Sequence, residues 1–254
     1  MEKKIYEQIT KKKDFSQLPM KDVGRAFRVF EKRQVSDEEK IRLTRDLLRK
    51  VFSAFTSKKI LSLKDKEPEW ILRKHISTRE RLPYYSEIYE RLLKDFAENE
   101  ITVFDLGAGI NGFSYNYFPR KLYYVAIEAM GQLVDLMNYY FKTRGLEAGA
   151  IHESLFSLDK IKKYLNQSKG EKIIFLFKTL DSLEMLERDY SKTLLNEIVP
   201  LANRVVVSFA TRSLIKKTKF KAKRSWLINF IKENFVILDD FESGSERYIV
   251  FQSK

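Results

Sequence analysis

An α/β fold, with a mostly parallel sheet covered by helices and a basic all-helical module in front of it, is what this 254-residue sequence predicts. Three observations carry the prediction. Residues 1–74 show helical periodicity and no strand alternation. From about residue 75, apolar runs rich in β-branched residues alternate with amphipathic segments. The last twenty residues form two strand-like runs around a short Gly/Ser turn.

In the first block, "PMKDVGRAFRVFEKRQ" (19–34) puts Val23, Phe27 and Phe30 on one helical face and Arg25, Arg28 and Lys32 on others. Ser36 with Glu39 three residues on is a capping-box start for a second helix, in which Ile41, Leu48, Val51 and Phe55 recur near helical spacing. The module ends near "SLKDKEPEW" (62–70). In the second block, five strands are expected in "ITVFDLG" (101–107), "LYYVAIEA" (122–129), "AGAIHESLF" (148–156), "KIIFLFKTL" (172–180) and "NRVVVSFA" (203–210). Helices are expected over 130–145, stopped by Gly145, and over 182–202 and 224–235. Such alternation implies right-handed crossovers and a sheet buried on both faces. The final antiparallel hairpin brings the count to a seven-stranded mixed sheet.

Charge separates the blocks as clearly as periodicity does. The net charge is +13, and residues 1–74 hold 21 Lys/Arg against 12 Asp/Glu. The run "RSLIKKTKFKAKR" (212–224) adds seven basic residues and no acid. Two basic blocks around a slightly acidic remainder form an electrostatic footprint for nucleic acid or an anionic membrane surface. The lack of cysteine excludes disulfides, thiolate metal sites and cysteine nucleophiles, and two histidines leave little for a metal centre. No apolar run is long enough to span a bilayer, and the Lys-rich start lacks a signal peptide's apolar segment. A cytoplasmic protein without membrane or metal partners is expected.

Residues 103–114, "VFDLGAGINGFS", run from an apolar strand through an acid into three glycines. Gly107, Gly109 and Gly112 fit G-x-G-x-x-G, a weak signal alone, which lets backbone approach a ligand beyond the strand end. Glu128, about 20 residues on at the end of the second strand, is placed to accept from ribose hydroxyls. Both features serve an adenine nucleoside, in NAD or in S-adenosyl-L-methionine. Asp105, two residues before the first glycine, would oppose a pyrophosphate but can accept from an ammonium group or orient loop amides. The terminal hairpin also favours the sulfonium cofactor, and no Cys/His arrangement points to hydride chemistry. The expected architecture is therefore a Rossmann-like, class I S-adenosylmethionine-dependent methyltransferase domain, with S-adenosyl-L-homocysteine as product. An NAD-dependent oxidoreductase and a catalytically silent RNA-binding protein are the rival readings.

"HISTRERLPYYSEIY" (75–89), "FDLGAGINGFS", "FLFKTLDSLE" (175–184) and "VVVSFATRSL" (205–214) together resemble the aminoglycoside-resistance 16S rRNA guanine-N7 methyltransferases. The likeness covers roughly residues 70–254, and H-x-S-T-x-E-R-L is its most specific element. It implies that residues 1–74 dock on the small ribosomal subunit and that a monomer methylates a decoding-site guanine, 1405, in the 30S particle. Another rRNA or tRNA position, including the decoding-site adenine at N1, is the alternative. By position, Arg81 would grip the cofactor carboxylate, flanked by His75 and Thr78. Gly107, Ala108 and Gly109 would line the methionine moiety, and Glu128 with Ala129 the ribose. Lys178 at the end of strand four, Phe209 at the end of strand five, and Arg212 and Ser213 just beyond it would border the target base. The chain departs from the family at Ala210, where proline is usual, and at Ser154, beside Leu155, where many methyltransferases hold an acid for the adenine amine. Its 216–224 loop is also unusually rich in lysine.

For RNA, the expected contacts are Lys11, Lys12, Lys13, Arg25, Arg28, Lys32 and Arg33 in the first block, with Lys58 and Lys59 further on. Lys216, Lys217, Lys219, Lys221, Lys223 and Arg224 form the second group. Not every marked residue needs a ligand. Ser77 and Glu80 have capping-box spacing and are expected to start a helix that kinks or restarts at Pro83. Trp226, Phe230, Tyr139, Tyr140 and Phe141 are read as core. Guanine N7 carries a free lone pair, so no acid–base residue is required.

Overall fold

Seven strands form one sheet: β1 (Ile101–Leu106), β2 (Tyr123–Glu128), β3 (Ala148–His152), β4 (Glu171–Phe177), β5 (Arg204–Ala210), β6 (Val236–Ser243) and β7 (Glu246–Gln252). Their order in the computed structural model is 3-2-1-4-5-7-6. It describes residues 1–53, 66–96, 100–211 and 224–254. Strands β1 to β5 are parallel, and β7 is inserted antiparallel between β5 and β6. Every residue of β1 is buried, which is why it reads as a continuous apolar run rather than an alternation. The chain winds outward one way from β1 and the other way from β4. Their carboxyl ends therefore open a crevice.

Before the sheet come α1 (Lys3–Thr10), α2 (Met20–Glu31) and α3 (Asp37–Leu48), which passes into a π-helical turn, Arg49–Ser53. Then follow α4 (Pro68–Leu72), α5 (Ile76–Arg81) and α6 (Tyr85–Leu93). Between the strands lie α7 (Gly131–Arg144), α8 (Leu158–Gln167), α9 (Leu180–Leu186), α10 (Tyr190–Ile198) and α11 (Ser225–Asn234). Ser36 caps α3 by accepting from the Glu39 amide at 3.3 Å, and α7 stops at left-handed Gly145, as their spacing predicts. Among the described residues no helix is long and apolar enough to cross a membrane.

Three expectations are corrected. The helix expected over 182–202 is two helices. Asp189 adopts φ 62°, and the Glu184 carboxylate accepts from the amides of Asp189 and Ser191, capping the restart. The Ser77/Glu80 capping box does not form: His75 is the N-cap of α5, Ser77 is buried within the helix, and Glu80 pairs with Lys178. Pro83 does redirect the chain, through the 3-10 turn Leu82–Tyr84 that leads into α6. Trp226 and Tyr139 are 39% and 36% exposed rather than core, because Leu227 and Ile231 on α11, and Tyr140 and Phe141 on α7, take the buried stripes.

The helical block shares its core with the sheet: Ile9, Phe15, Leu18, Val23, Phe27 and Leu48 join one contiguous apolar cluster with the strands. The Arg25 guanidinium lies 4.2 Å over the Phe156 ring and pairs with Glu187, fastening α2 beside α9. Gln132, at the start of α7, donates to the Lys13 carbonyl and the Ser16 hydroxyl. These contacts bring α2 up to the crevice.

Candidate functional site

A cavity of about 300 Å³ opens at the carboxyl ends of β1, β2 and β4. The loop after β1 contributes Asp105, Gly107, Ala108 and Gly109, and the segments after β2 and β3 contribute Glu128, Ala129 and Leu155. His75, Thr78 and Arg81 enter from α5 and its approach, and Lys178 from the end of β4. Of the residues expected at the cofactor, Ser154 alone does not line the cavity. It is fully buried, and its Oγ accepts from the Phe156 amide at 3.1 Å.

Gly107 lies at φ +73°, and a Cβ there would meet Thr179 Cγ2 at 2.7 Å. Thr179 Oγ1 donates to the Leu106 carbonyl at 3.0 Å, pinning β4 to β1 where only glycine fits. The turn then presents the Gly109 amide, which donates to Glu128 Oε2 at 2.8 Å, while the Met130 amide donates to Oε1 at 2.8 Å. Burial pushes the Glu128 carboxyl up, and these amides pull it partly back. Each carboxylate oxygen retains acceptor capacity, so Glu128 is held ready for a pair of neighbouring hydroxyls.

Of the two roles open to Asp105, the geometry displays loop orientation. Asp105 Oδ2 accepts from Tyr124 Oη at 2.6 Å and from Asn111 Nδ2 at 2.7 Å. Asn111 Oδ1 in turn accepts from Arg81 Nη1 at 2.8 Å and Tyr85 Oη at 2.7 Å. Arg81 is only 4% exposed, and its Nε and Nη2 donate to Glu246 at 3.3 and 3.2 Å. With a weaker 3.5 Å contact to Tyr85 Oη, this leaves one N–H of Nη2 to offer a ligand carboxylate. Burial raises Glu246, but Arg81, Lys178 and the Ser208 hydroxyl outweigh it and hold the carboxylate below its usual range.

Lys178 Nζ sits 3.1 Å from both Glu246 and Glu80. Its backbone is left-handed at φ 58°, kept there by its amide, which donates to the carbonyl and hydroxyl of Ser208. Burial, then the charges of Arg81 and Lys178, lower His75 to about 3. The imidazole is therefore neutral at physiological pH and contributes no cationic contact. Thr78 Oγ1 donates to the Leu72 carbonyl at 2.6 Å, which sets α5 against α4.

Asn111 and Glu246 escaped the sequence reading. Glu246 lay inside "ESGSE", read as turn, but both strands extend until only Gly244 and Ser245 remain between them, and Glu246 pairs with Ala210 at the start of β7. Also missed was the wall supplied by the helical block: Asp22 from α2, and Lys50, Val51 and Phe52 from the π-helical turn. Asp22 had left a signal, an acid in the stripe Asp22–Ala26–Phe30 at i, i+4, i+8 on the buried face. It is 2% exposed, and Oδ2 has no hydrogen-bond partner among the described residues.

Burial raises Asp22 from 3.8 to about 6, with the Ser154 hydroxyl pulling the other way. Folded Asp22 holds its proton more tightly than unfolded Asp22. Its share of stability is therefore complete below about pH 4 and is lost as pH rises through 6. Asp22→Asn should raise unfolding free energy by about 2–3 kcal/mol at pH 8. The gain should vanish below pH 4, and urea titrations at both values check it.

The donor set fits S-adenosylmethionine: a chelating carboxylate for a ribose, a spare guanidinium N–H for a carboxylate, and an orphaned acceptor at the far end. A pyrophosphate fits poorly, since Asp22, Asp105 and Glu128 all border the cavity.

Other expected residues lie elsewhere. Phe209 is 3% exposed beneath the Arg224 guanidinium, 5.1 Å away, and Ala210 rather than Phe209 lines the cavity. Arg224 pairs with Asp181 at 2.6 Å and donates to the Ala210 carbonyl. Lys11, Lys12, Lys13, Arg28, Lys32 and Arg33 are exposed, whereas Arg25 is turned inward. Arg212, Ser213, Lys58, Lys59, Lys216, Lys217, Lys219, Lys221 and Lys223 lie outside the described residues.

Residues 28–227 match the model of a family described as ribosomal RNA methyltransferase (FmrO). The chain belongs to that family. A 16S rRNA (guanine(1405)-N(7))-methyltransferase from Micromonospora echinospora is 26% identical over 184 residues, spanning 70% of this FmrO-family chain and 63% of that protein. The crystal structure of the 16S rRNA methyltransferase RmtF in complex with S-adenosyl-L-homocysteine superposes with TM-score 0.80 at 19% identity, over 100% of both chains. The 16S rRNA methylase RmtB gives TM-score 0.79 at 18% identity, over 99% of this chain and 98% of that one. These two likenesses concern the fold, a class I methyltransferase sheet.

Proposed function

We propose that this FmrO-family chain is an S-adenosylmethionine-dependent 16S rRNA methyltransferase that modifies N7 of the decoding-site guanine, 1405, in the 30S subunit and so confers aminoglycoside resistance. The observation that carries the reading is the opposed pair at the cavity. Glu128 is clamped by two amides at one end, and Arg81, steered by Asn111 and Asp105, has an N–H to spare at the other. The cofactor supplies an electrophilic methyl group when bound. The chain's part is alignment: Glu128 fixes the nucleoside, Arg81 fixes the amino-acid tail, and the mouth near Lys178 and Ala210 admits the base. Guanine N7 offers its own lone pair, so no residue need remove a proton. A base inside a folded helix must be extruded to reach such a mouth.

Residues 1–74, with exposed Lys11, Lys12, Lys13, Arg28, Lys32 and Arg33, form the 30S-docking unit of a cytoplasmic monomer. They act through phosphate and shape rather than base edges. Replacing Lys12, Lys13, Arg28 and Arg33 together with alanine should weaken 30S binding. It should also flatten the dependence of log affinity on log salt, by about one for each phosphate that is no longer neutralised. S-adenosylhomocysteine affinity should stay unchanged by calorimetry.

Ala210 lines the cavity at a position where the resembling methyltransferases usually carry proline, and this departure leaves a second target open, the decoding-site adenine at N1. Mass mapping and primer extension of 16S rRNA, after incubating 30S particles with protein and cofactor, decide between them. N7-methylguanine at 1405 is expected. Methylation at an adenine N1, or none, would overturn the guanine reading.

A further inference from the structure

We propose that Asp22, reaching in from α2, provides the carboxylate that accepts a hydrogen bond from the 6-amino group of the cofactor's adenine. The inference rests on the cofactor reading above and concerns how this chain satisfies one end of it. With Glu128 assigned to the ribose, the adenine belongs beyond it, where Ala129 and Leu155 line the cavity. An acid after β3 would ordinarily face that amine. Here the position is Ser154, which does not line the cavity and whose Oγ accepts from the Phe156 amide, and neighbouring Glu153 is engaged with Lys160 at 2.6 Å.

Asp22 occupies the space this leaves. It lines the same cavity, its carboxyl is close enough to feel Ser154 and Glu128, and Arg25 one turn on lies over Phe156. A buried carboxylate oxygen with no donor is costly and asks for one. Beside the anionic Glu128, the suitable ligand group is a neutral N–H donor at the edge of a planar base, which describes an exocyclic amine. The acid absent from the β3 end is thus replaced in space by one from the helical block. Cofactor binding thereby draws on the same helix that carries exposed Arg28.

The test is calorimetry on the full chain with S-adenosylhomocysteine and with S-inosylhomocysteine, which has a 6-oxo group where adenine has its amine. The unaltered protein should prefer the amine by at least about tenfold, the scale of one buried carboxylate hydrogen bond. Asp22→Asn, nearly isosteric and able to donate to the 6-oxo group, should level or reverse that preference. A melting curve checks that this variant is folded. Retention of the original preference in Asp22→Asn, or an equal loss for both ligands, would overturn the inference while leaving the cofactor reading intact. Failure of the unaltered protein to bind S-adenosylhomocysteine at all would overturn the cofactor reading and this inference with it.

Discussion

Arg81→Met should cost about 3–5 kcal/mol of stability and lower S-adenosylhomocysteine affinity by more than about a hundredfold. Arg81 and Glu246 are both nearly inaccessible, and their pairing lets Glu246 remain ionised inside the protein. Removing the guanidinium leaves a buried carboxylate with Lys178 as its remaining cationic partner, and Asn111 loses the group it steers. Stability and binding can be told apart. Adding Glu246→Gln removes the uncompensated charge, so the double variant should regain much of the urea resistance while the ligand affinity stays low. If affinity returns along with stability, Arg81 is a structural residue and the cofactor's tail is held by something else.

A chain beginning at residue 75 should bind no S-adenosylhomocysteine and should aggregate on expression. Four cavity-lining residues, Asp22, Lys50, Val51 and Phe52, would be missing, and the surface of Phe156 and Tyr190 beneath Arg25 would be stripped bare. Each fully buried apolar side chain contributes about 1.5–3 kcal/mol, and domains are stable by only about 5–15 kcal/mol. Removing Leu18, Val23, Phe27 and Leu48 from the shared core is enough to cancel the margin. Solubility, circular dichroism and calorimetry read the outcome. A soluble, folded truncation with intact ligand affinity would show that the α2 wall is dispensable. Ribosome docking and cofactor binding would then divide by domain. In the structure the same block turns Arg28 and Arg33 to solvent and Asp22 to the cavity.

The legible parts of the site were those carried by local spacing. "DLGAG" at the end of an apolar run placed Asp105, Gly107 and Gly109, and the acid closing the next strand placed Glu128, because a strand end and its turn are adjacent in sequence as well as in space. Arg81 was found only through the resemblance of "HISTRERL", since nothing in its own helix distinguishes it from Arg79. Glu246 was hidden by the hairpin. Its role depends on β7 lying beside β5, which brings residue 246 to residue 81 across 165 positions of chain.

The sequence by itself determined the seven strands in their chain order, the glycine turn with its two acids, and the uneven charge. Each of these follows from patterns spanning a few residues, where propensity and periodicity act. Only the tertiary structure decided that Arg25 is a fastener rather than a free cation, that Lys178 is balanced between Glu80 and Glu246, and that Asp22 belongs to the cavity. A side chain's partner depends on which distant elements the core packs together, and a buried charge acquires its meaning only from the groups that burial places around it.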